Sequence, residues 1–308
     1  MKSLVTGGAG FIGSHLVDAL LAAGHSVAVV DDLSRGQRSQ VAPDARLHVV
    51  DVRSADLHDV LQAEKPDLVF HQAAQIDVRR SIAEPLLDTE INVVGTVNLL
   101  QACVAAGVRR VVFASSGGAI YGDTSMIPTP ETHPALPASL YGAAKLCGEA
   151  YGQVYTSLYG LEFVALRYAN VYGPRQDPHG EAGVVAIFAR KLLGDEVPVI
   201  NGDGRQTRDY VFVGDVVAAN LAAAAADASA LGAYNVGTGR ETDVNTLFAM
   251  LSAACRVDGD AAHGPAKPGE QQRSCLDASR AAAVLGWAPQ VALEEGLRET
   301  VEFFRDSA

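Results

Sequence analysis

Tyr141-Gly-Ala-Ala-Lys145 places a phenol and a primary amine four residues apart, which on a helix makes them neighbours on one face. A tyrosine of unperturbed pKa ~10 is a poor base at neutral pH, and lowering it by ~3 units takes about 4 kcal/mol of differential stabilisation. The ammonium of Lys145 and a cationic cofactor ring are groups that could supply it. Just upstream, Ala114-Ser-Ser-Gly-Gly-Ala-Ile-Tyr121 offers two hydroxyls. Ser116 is the candidate to hydrogen-bond the same reacting oxygen as Tyr141; capping of a strand end is the alternative for both serines, more so for Ser115. Ser116, Tyr141 and Lys145 are therefore the candidate catalytic residues, for chemistry that couples proton removal from a hydroxyl to hydride transfer.

A hydride needs an acceptor, and the amino terminus provides a place for one. In Thr6-Gly-Gly-Ala-Gly-Phe-Ile-Gly13, the glycines 8, 10 and 13 fit GxGxxG and Gly7, Gly10 and Gly13 fit GxxGxxG. Between a strand and a helix, such a turn lets backbone N–H groups approach a pyrophosphate at the helix N-terminus, where the dipole favours negative charge. Gly7, Gly10, Phe11, Ile12 and Gly13 are the candidate contacts. The next apolar strand ends in Asp31, close to the ~20-residue spacing at which a carboxylate accepts from ribose hydroxyls. Asp31 and its neighbour Asp32 would repel a 2′-phosphate, so NAD is expected rather than NADP. Asp51-Val52 after the third strand suits an adenine contact. Ala73 and Ala74, in His71-Gln-Ala-Ala74, are small enough to pack on the cofactor, and His71 is expected to be structural.

The elements that must position these residues are legible as short β-branched runs alternating with amphipathic helices. The strand runs are Leu4-Val5, Val27 to Val30, Leu47 to Val50, Leu68 to Phe70, Val111 to Ala114 and Phe163 to Leu166. Runs apolar on both faces call for a parallel sheet covered on both sides. Helical spacing covers Ile12 to Leu21, Asp56 to Leu61, Pro85 to Ala106 and Leu140 to Tyr159, with Gly24, Gly107 and Gly160 as C-caps. After Arg167 the texture changes: Pro174, Pro178, Gly180 and Gly183 form a loop before a helical stretch, Val184 to Leu193. A strand at Tyr234 to Val236 could return to the sheet. The fold class expected is α/β, a Rossmann-type doubly wound parallel sheet with a smaller, interleaved C-terminal substrate lobe. The division is 1–166 with 208–237 for the dinucleotide domain, and 167–207 with 238–308 for the lobe.

Composition narrows the function classes. The chain of 308 residues is 48% hydrophobic and 19% charged, which suits a soluble α/β protein and not a disordered one. A formal charge of −12 disfavours a nucleic-acid partner. Cys103, Cys147, Cys255 and Cys275 show no CxxC or metal-like pairing with histidine, so a reducing compartment is expected and a metal site is not. No basic, apolar leader opens the sequence and no apolar run reaches the ~18 residues of a membrane span. A cytoplasmic protein without a membrane partner is the expectation.

The residues resemble the extended short-chain dehydrogenase/reductases, and among them the UDP-sugar 4-epimerases. The resemblance spans essentially the whole chain through TGGAGFIG, HQAA, SSGGAIYG, YGAAK, LRYANVYGPRQ (166–176), GDGRQTRDYVFVGD (202–215), NVGTG (235–239) and LGW (285–287). It implies that Tyr141 takes the proton of the sugar 4-hydroxyl while hydride passes from C4 to NAD. Lys145 would hold the nicotinamide ribose, and Ser116 would bond the reacting oxygen. The 4-keto sugar then turns over and receives hydride on its other face. Asn170 would contact the diphosphate, and Arg208 would pair with it. Lys267 stands where the family has a further arginine, exchanging a bidentate fork for a point charge. The substrate implied is a UDP-sugar, UDP-glucose or UDP-galactose, with the N-acetylhexosamine pair admitted if the wall near the C2 substituent, counted to Ser274, is small. Helices 85–106 and 140–159 would pair with their mates in a homodimer, Leu99 and Val104 being apolar positions compatible with that and equally with the core.

Two departures from the family pattern matter. Many relatives place Ser or Thr where Gly117 stands, and one extra loop residue returns that role to Ser116. Members that dehydrate or decarboxylate carry an acid where Gly118 and Ala119 stand, so those reactions are disfavoured. A UDP-glucuronate 4-epimerase stays open because Arg79 and Arg80 could hold a carboxylate, although a solvated helix start is their simpler reading. A non-catalytic NAD sensor is the alternative of a different class; it would be expected to lose the phenol or the lysine.

Overall fold

A computed structural model describes residues 1–178, 183–267 and 271–307; Gly180 of the proline-rich loop lies outside them. The first half runs β1 (Lys2–Thr6), α1 (Phe11–Ala22), β2 (Ser26–Asp31), β3 (Arg46–Val49), α2 (Asp56–Glu64), β4 (Leu68–His71), α3 (Val78–Ala83), α4 (Pro85–Thr89), α5 (Gly95–Ala106), β5 (Arg110–Ser116), α6 (Gly117–Ile120), α7 (Leu140–Tyr159) and β6 (Glu162–Tyr168). The second half runs β7 (Asn170–Tyr172), α8 (Val184–Leu193), β8 (Val199–Asn201), β9 (Thr207–Arg208), β10 (Tyr210–Phe212), α9 (Val213–Ala225), β11 (Gly232–Val236), β12 (Thr242–Asp243), α10 (Val244–Cys255), β13 (Ala262–Gly264), α11 (Ser279–Leu285) and α12 (Leu293–Asp306).

Seven strands form one parallel sheet in the order β11-β6-β5-β4-β1-β2-β3. Period-two alternation divides its residues between two cores. Val5, Val27, Val29, Phe70 and Val112 pack with Leu16, Val17 and Leu20 of α1 and Val216 and Ala219 of α9. Leu4, Ala28, Val30, Val69 and Val111 pack with Leu57 and Leu61 of α2 and Leu99, Leu100 and Cys103 of α5. The order of strands reverses between β1 and β4, so the connections leave in opposite directions there and open a crevice at the carboxyl ends.

The smaller lobe has its own core, where Val185 and Phe188 of α8 meet Leu247 and Leu251 of α10 and Leu297 and Val301 of α12. Three two-stranded ladders serve it: β7 with β10, β9 with β12, and β8 with β13. The apolar run Tyr210 to Val213 is strand only as far as Phe212, because Val213 opens α9.

One expected element differs in detail. The stretch 85–106 is not a uniform α-helix: α4 passes through a π-turn at Glu90–Val94 before α5. Asn92 inside that turn is buried and bonds the backbone of Gln75 through both side-chain atoms, at 2.9 Å each. Those contacts give a physical reason for the wider turn.

Candidate active site

The glycine turn after β1 is a packing solution before it is a binding site. A Cβ on Gly13 would lie 2.1 Å from the Gly7 carbonyl oxygen, so α1 can begin this close to the strand only with glycine there. Ala9 N–H and Leu33 N–H donate to the two carboxylate oxygens of Asp31, each at 2.9 Å. Burial pushes the Asp31 carboxyl up and these two amides pull it back. Asp32 accepts from the backbone and hydroxyl of Ser34.

A cavity of about 1370 Å³ runs along this carboxyl edge. Gly7, Gly10, Phe11, Ile12, Gly13, Asp31, Asp32, Asp51, Val52, Ala73, Ala74, Tyr141 and Lys145 all line it. The turn without Cβ atoms, the anchored carboxylate and the crevice together fit an elongated dinucleotide. Asp51 is already engaged by a bidentate contact with Arg53, which holds its carboxyl below the usual range.

At the other end of the cavity, α7 lies unusually close to the sheet. Gly148 and Gly152 face the rings of Phe113 and Phe163, where a Cβ would sit 2.6 Å and 2.3 Å from ring carbons. Ser139 caps the helix by accepting from Gly142 N–H, and Tyr141 N–H donates to Ser81 Oγ. This close seating buries Lys145, whose Nζ donates to the Ala114 carbonyl at 2.8 Å and lies 5.8 Å from the centre of the Tyr141 ring. The Ser116 hydroxyl lies near the Tyr141 phenol and favours its ionisation.

The neighbouring serine is spoken for. Ser115 Oγ donates to Glu149 Oε1 at 2.5 Å, and Glu149 is in turn held by Arg167 Nη2 at 2.7 Å. Structural bonding at Ser115 leaves Ser116 as the serine that meets the phenol, and Ser116 itself makes no side-chain cap bond to α6.

Burial pushes Tyr141 up to about 12, with the Ser116 hydroxyl opposing and the Asp88 charge adding to the rise. Burial pushes Lys145 down to about 8 against the charges of Asp88 and Glu149. In the protein by itself, removal from water dominates at Tyr141. His71 bridges Thr6 and Thr96 and is held neutral, pushed down to about 3 by burial and by Lys145.

On the lobe side, a Cβ on Gly118 would meet Asn170 Oδ1 at 3.8 Å and Ser274 Oγ at 3.9 Å. Those three residues thus border one small space. Ser274 is buried in an extended segment outside any strand. Asp209 fixes that segment: its carboxylate accepts from Thr238 N–H at 2.8 Å and from Leu276 N–H at 3.2 Å, while its carbonyl accepts from Asn170 N–H at 2.9 Å. Arg273 and Glu241 pair beside it. Arg208 on β9 donates to the Thr207 carbonyl, and Lys267 is exposed in the loop after β13. Among the described residues no cluster of His, Cys, Asp and Glu could hold a metal ion.

Residues 3–237 match the NAD dependent epimerase/dehydratase family. The chain belongs to this family. It is 49% identical over 313 residues, covering both chains completely, to a UDP-glucose 4-epimerase of Mycolicibacterium smegmatis. Its fold is similar to that of a UDP-glucose 4-epimerase from Thermotoga maritima solved with UDP-glucose, with a TM-score of 0.97, 45% identity and coverage of 100% and 99%. It is similar also to a Thermus thermophilus UDP-glucose 4-epimerase in complex with NAD, with a TM-score of 0.95, 44% identity and full coverage of both chains. NAD is accordingly the cofactor of this enzyme.

Other expected positions take different roles. Leu99 is in the core and Val104, half-buried, packs at its edge. The exposed large apolar residues of the two helical stretches are Leu86, Val94, Leu140, Tyr151, Val154, Leu158 and Tyr159. Asp77 caps α3 through Arg79 N–H and Arg80 N–H, and the Arg80 guanidinium pairs with Glu84. Glu149, Asp209 and Asp88 escaped the sequence reading. Glu149 had a signal, one turn beyond Lys145 on the same helix face; Asp209 and Asp88 become notable only through burial.

Proposed function

We propose that this epimerase interconverts UDP-glucose and UDP-galactose by transient oxidation at C4, with Tyr141 as base, Ser116 as hydrogen-bond partner of the reacting oxygen and Lys145 as the adjacent cation. The observation that carries the reading is the pairing of Tyr141 with the buried Lys145, whose Nζ lies 5.8 Å from the centre of the phenol ring, at the end of a dinucleotide-sized cavity. Bound NAD supplies the two-electron acceptor and donor, and a positive charge close to the phenol.

Tyr141 must lose a proton to begin the cycle, and its buried hydroxyl cannot do so unaided. The ammonium of Lys145 and the cofactor charge both favour phenolate, whereas burial favours phenol. Deprotonation is thereby tied to the loaded site. Ser116 keeps the sugar oxygen aligned as it passes from hydroxyl to carbonyl and back. The site keeps both phenol and lysine, which supports turnover over NAD sensing. Arg80 is engaged by Glu84, which weakens the UDP-glucuronate alternative.

Asn170 and Arg208 bind the diphosphate in this reading, with Lys267 adding a charge at the rim. The small side chain of Ser274 next to Gly118 leaves space at C2, so UDP-N-acetylglucosamine is a second substrate. The lobes divide as 1–166 with 208–237 and 167–207 with 238–308. Exposed Leu86, Val94, Val154 and Leu158 support pairing of the helices in a homodimer, and four unbridged cysteines suit the cytoplasm.

The test is direct. Purified protein without added cofactor should convert UDP-glucose to UDP-galactose, and denatured protein should release NAD. NADP in that extract, or inactivity on every UDP-hexose tried, would overturn the reading.

A further inference from the structure

Three neighbouring strands carry polar residues in one row near their carboxyl ends: Ser115 on β5 is in register with Arg167 on β6, and Arg167 with Asn235 on β11. Residues in register share a face of the sheet. Glu149 of α7 and Tyr121 at the end of α6 join this row into one chain of hydrogen bonds. Ser115 Oγ donates to Glu149 Oε1 at 2.5 Å, and Arg167 grips both oxygens of the same carboxylate, Nε at 3.0 Å and Nη2 at 2.7 Å. Arg167 Nη1 donates to the Tyr121 hydroxyl at 2.8 Å, and that hydroxyl donates to Asn235 Oδ1 at 2.8 Å. All five side chains are buried.

Charge dictates the direction of each bond. A guanidinium has donors only, so the Tyr121 oxygen accepts from it and the single phenol proton goes to Asn235 Oδ1. Asn235 Nδ2 is thereby aimed the other way, at the carbonyls of Thr129 and Asp277, 2.9 Å and 3.0 Å off. Thr129 in turn clasps the strip 275–277: its N–H donates to the Cys275 carbonyl and its carbonyl accepts from Asp277 N–H. Leu276 of that strip rests on Gly117, where a Cβ would lie 2.5 Å from its Cδ1, and Ser274 just before the strip borders Gly118 and Asn170. The row thus begins beside Ser116 and ends on the segment lying across Gly117 and Gly118.

We infer that Tyr121 and Asn235 are positioning residues for the sugar: the tyrosine hydroxyl fixes the Asn235 carboxamide, the carboxamide fixes the strip 275–277, and the strip sets how far Ser274 stands from Gly118 and Asn170. This deepens the proposed function and rests on its placement of the sugar beside Ser274. Neither residue lines the cavity along the glycine turn, so neither acts by touching NAD. Asp209 holds the same strip independently, through Leu276 N–H. Cutting the tie therefore loosens the strip without releasing it.

Tyr121→Phe keeps the ring that packs with Ile120 and Leu276 and deletes the link. Calorimetric titration of the holoenzyme should show Kd for UDP-glucose raised about 5- to 10-fold, the scale of one hydrogen bond, with Kd for UDP held within about 2-fold because only the sugar meets the strip. KM for UDP-glucose should rise likewise while kcat changes by less than about 3-fold, the signature of lost binding at an intact reacting centre. Asn235→Ala cuts the tie from its other end and carries the same expectations should Tyr121→Phe not fold. The double variant should bind UDP-glucose no more weakly than Asn235→Ala alone, as residues acting through one link do. Unchanged affinity for UDP-glucose, equal weakening of UDP and UDP-glucose, a fall in kcat at constant KM, additive losses in the double variant, or failure of both single variants to fold would overturn the inference. A parent enzyme that binds both ligands without turnover would instead overturn the roles of Tyr141 and Lys145, leaving the two Kd values to decide on Tyr121 and Asn235. A parent that binds neither would overturn both.

Discussion

The glycine turn and the space bordered by Ser274, two parts of the proposed site, are stabilised by opposite means. The turn is local: Gly7 and Gly13 touch through backbone, and Asp31 secures it with two amides from its own neighbourhood. The wall is assembled from distant segments, with Gly118, Asn170 and Ser274 brought together and Asp209 tying the Thr238 and Leu276 segments through its carboxylate and the Asn170 segment through its carbonyl. A backbone contact leaves no room to give, so a change in the turn costs cofactor. A side-chain tie can loosen, so a change near the wall should be felt in substrate affinity and selectivity.

The contrast can be broken or sharpened by variants, beginning with the group between the two regions. Tyr141→Phe should lower kcat by about 10²- to 10⁴-fold, as expected for loss of a general base, with an unchanged melting curve; near-normal turnover would remove Tyr141 from the mechanism. Gly13→Ala forces a methyl against the Gly7 carbonyl. Overpacking of about 1–3 kcal/mol should weaken NAD retention roughly 5- to 150-fold, read from cofactor released after gel filtration, and full retention would show that the turn can give after all.

Asp209→Asn removes the charge that gathers Thr238, Gly239 and Leu276. At about 1.5–3 kcal/mol for hydrogen bonds to a charged group, KM for UDP-glucose should rise on the order of 10-fold while NAD stays bound. Loss of NAD in that variant would erase the distinction between the regions. Ser274→Tyr has the smallest expected effect on UDP-glucose, none within error, yet it should abolish conversion of UDP-N-acetylglucosamine, because a clash acts on one substrate only. Comparing kcat/KM for the two sugars decides it: equal losses on both would remove Ser274 as the gate.

The doubly wound sheet was readable because each strand run is apolar on both faces and three of the helices between them carry a glycine near their end. Gly107 and Gly160 do adopt the left-handed conformation as C-caps. The Leu140–Tyr159 helix was legible to the residue, while the π-turn at Glu90–Val94 was not. An inward-facing asparagine leaves no mark on hydrophobic periodicity. The same limit left Leu99 and Val104 open between subunit contact and core, since an apolar residue on a helix reads alike whether it meets the sheet or solvent.

Sequence by itself determined the chemistry available: a phenol and an ammonium on one helical face, a serine pair at a strand end, and a glycine turn followed by an acid. Local spacing suffices for these because strand and helix geometry convert it directly into direction. Only the tertiary structure decided which serine meets the phenol, since Ser115 is claimed by Glu149 from a helix over thirty residues away. It also decided the charges. Burial raises Tyr141 and lowers Lys145, and burial is a property of what surrounds a residue in space, which the order of residues along the chain does not state.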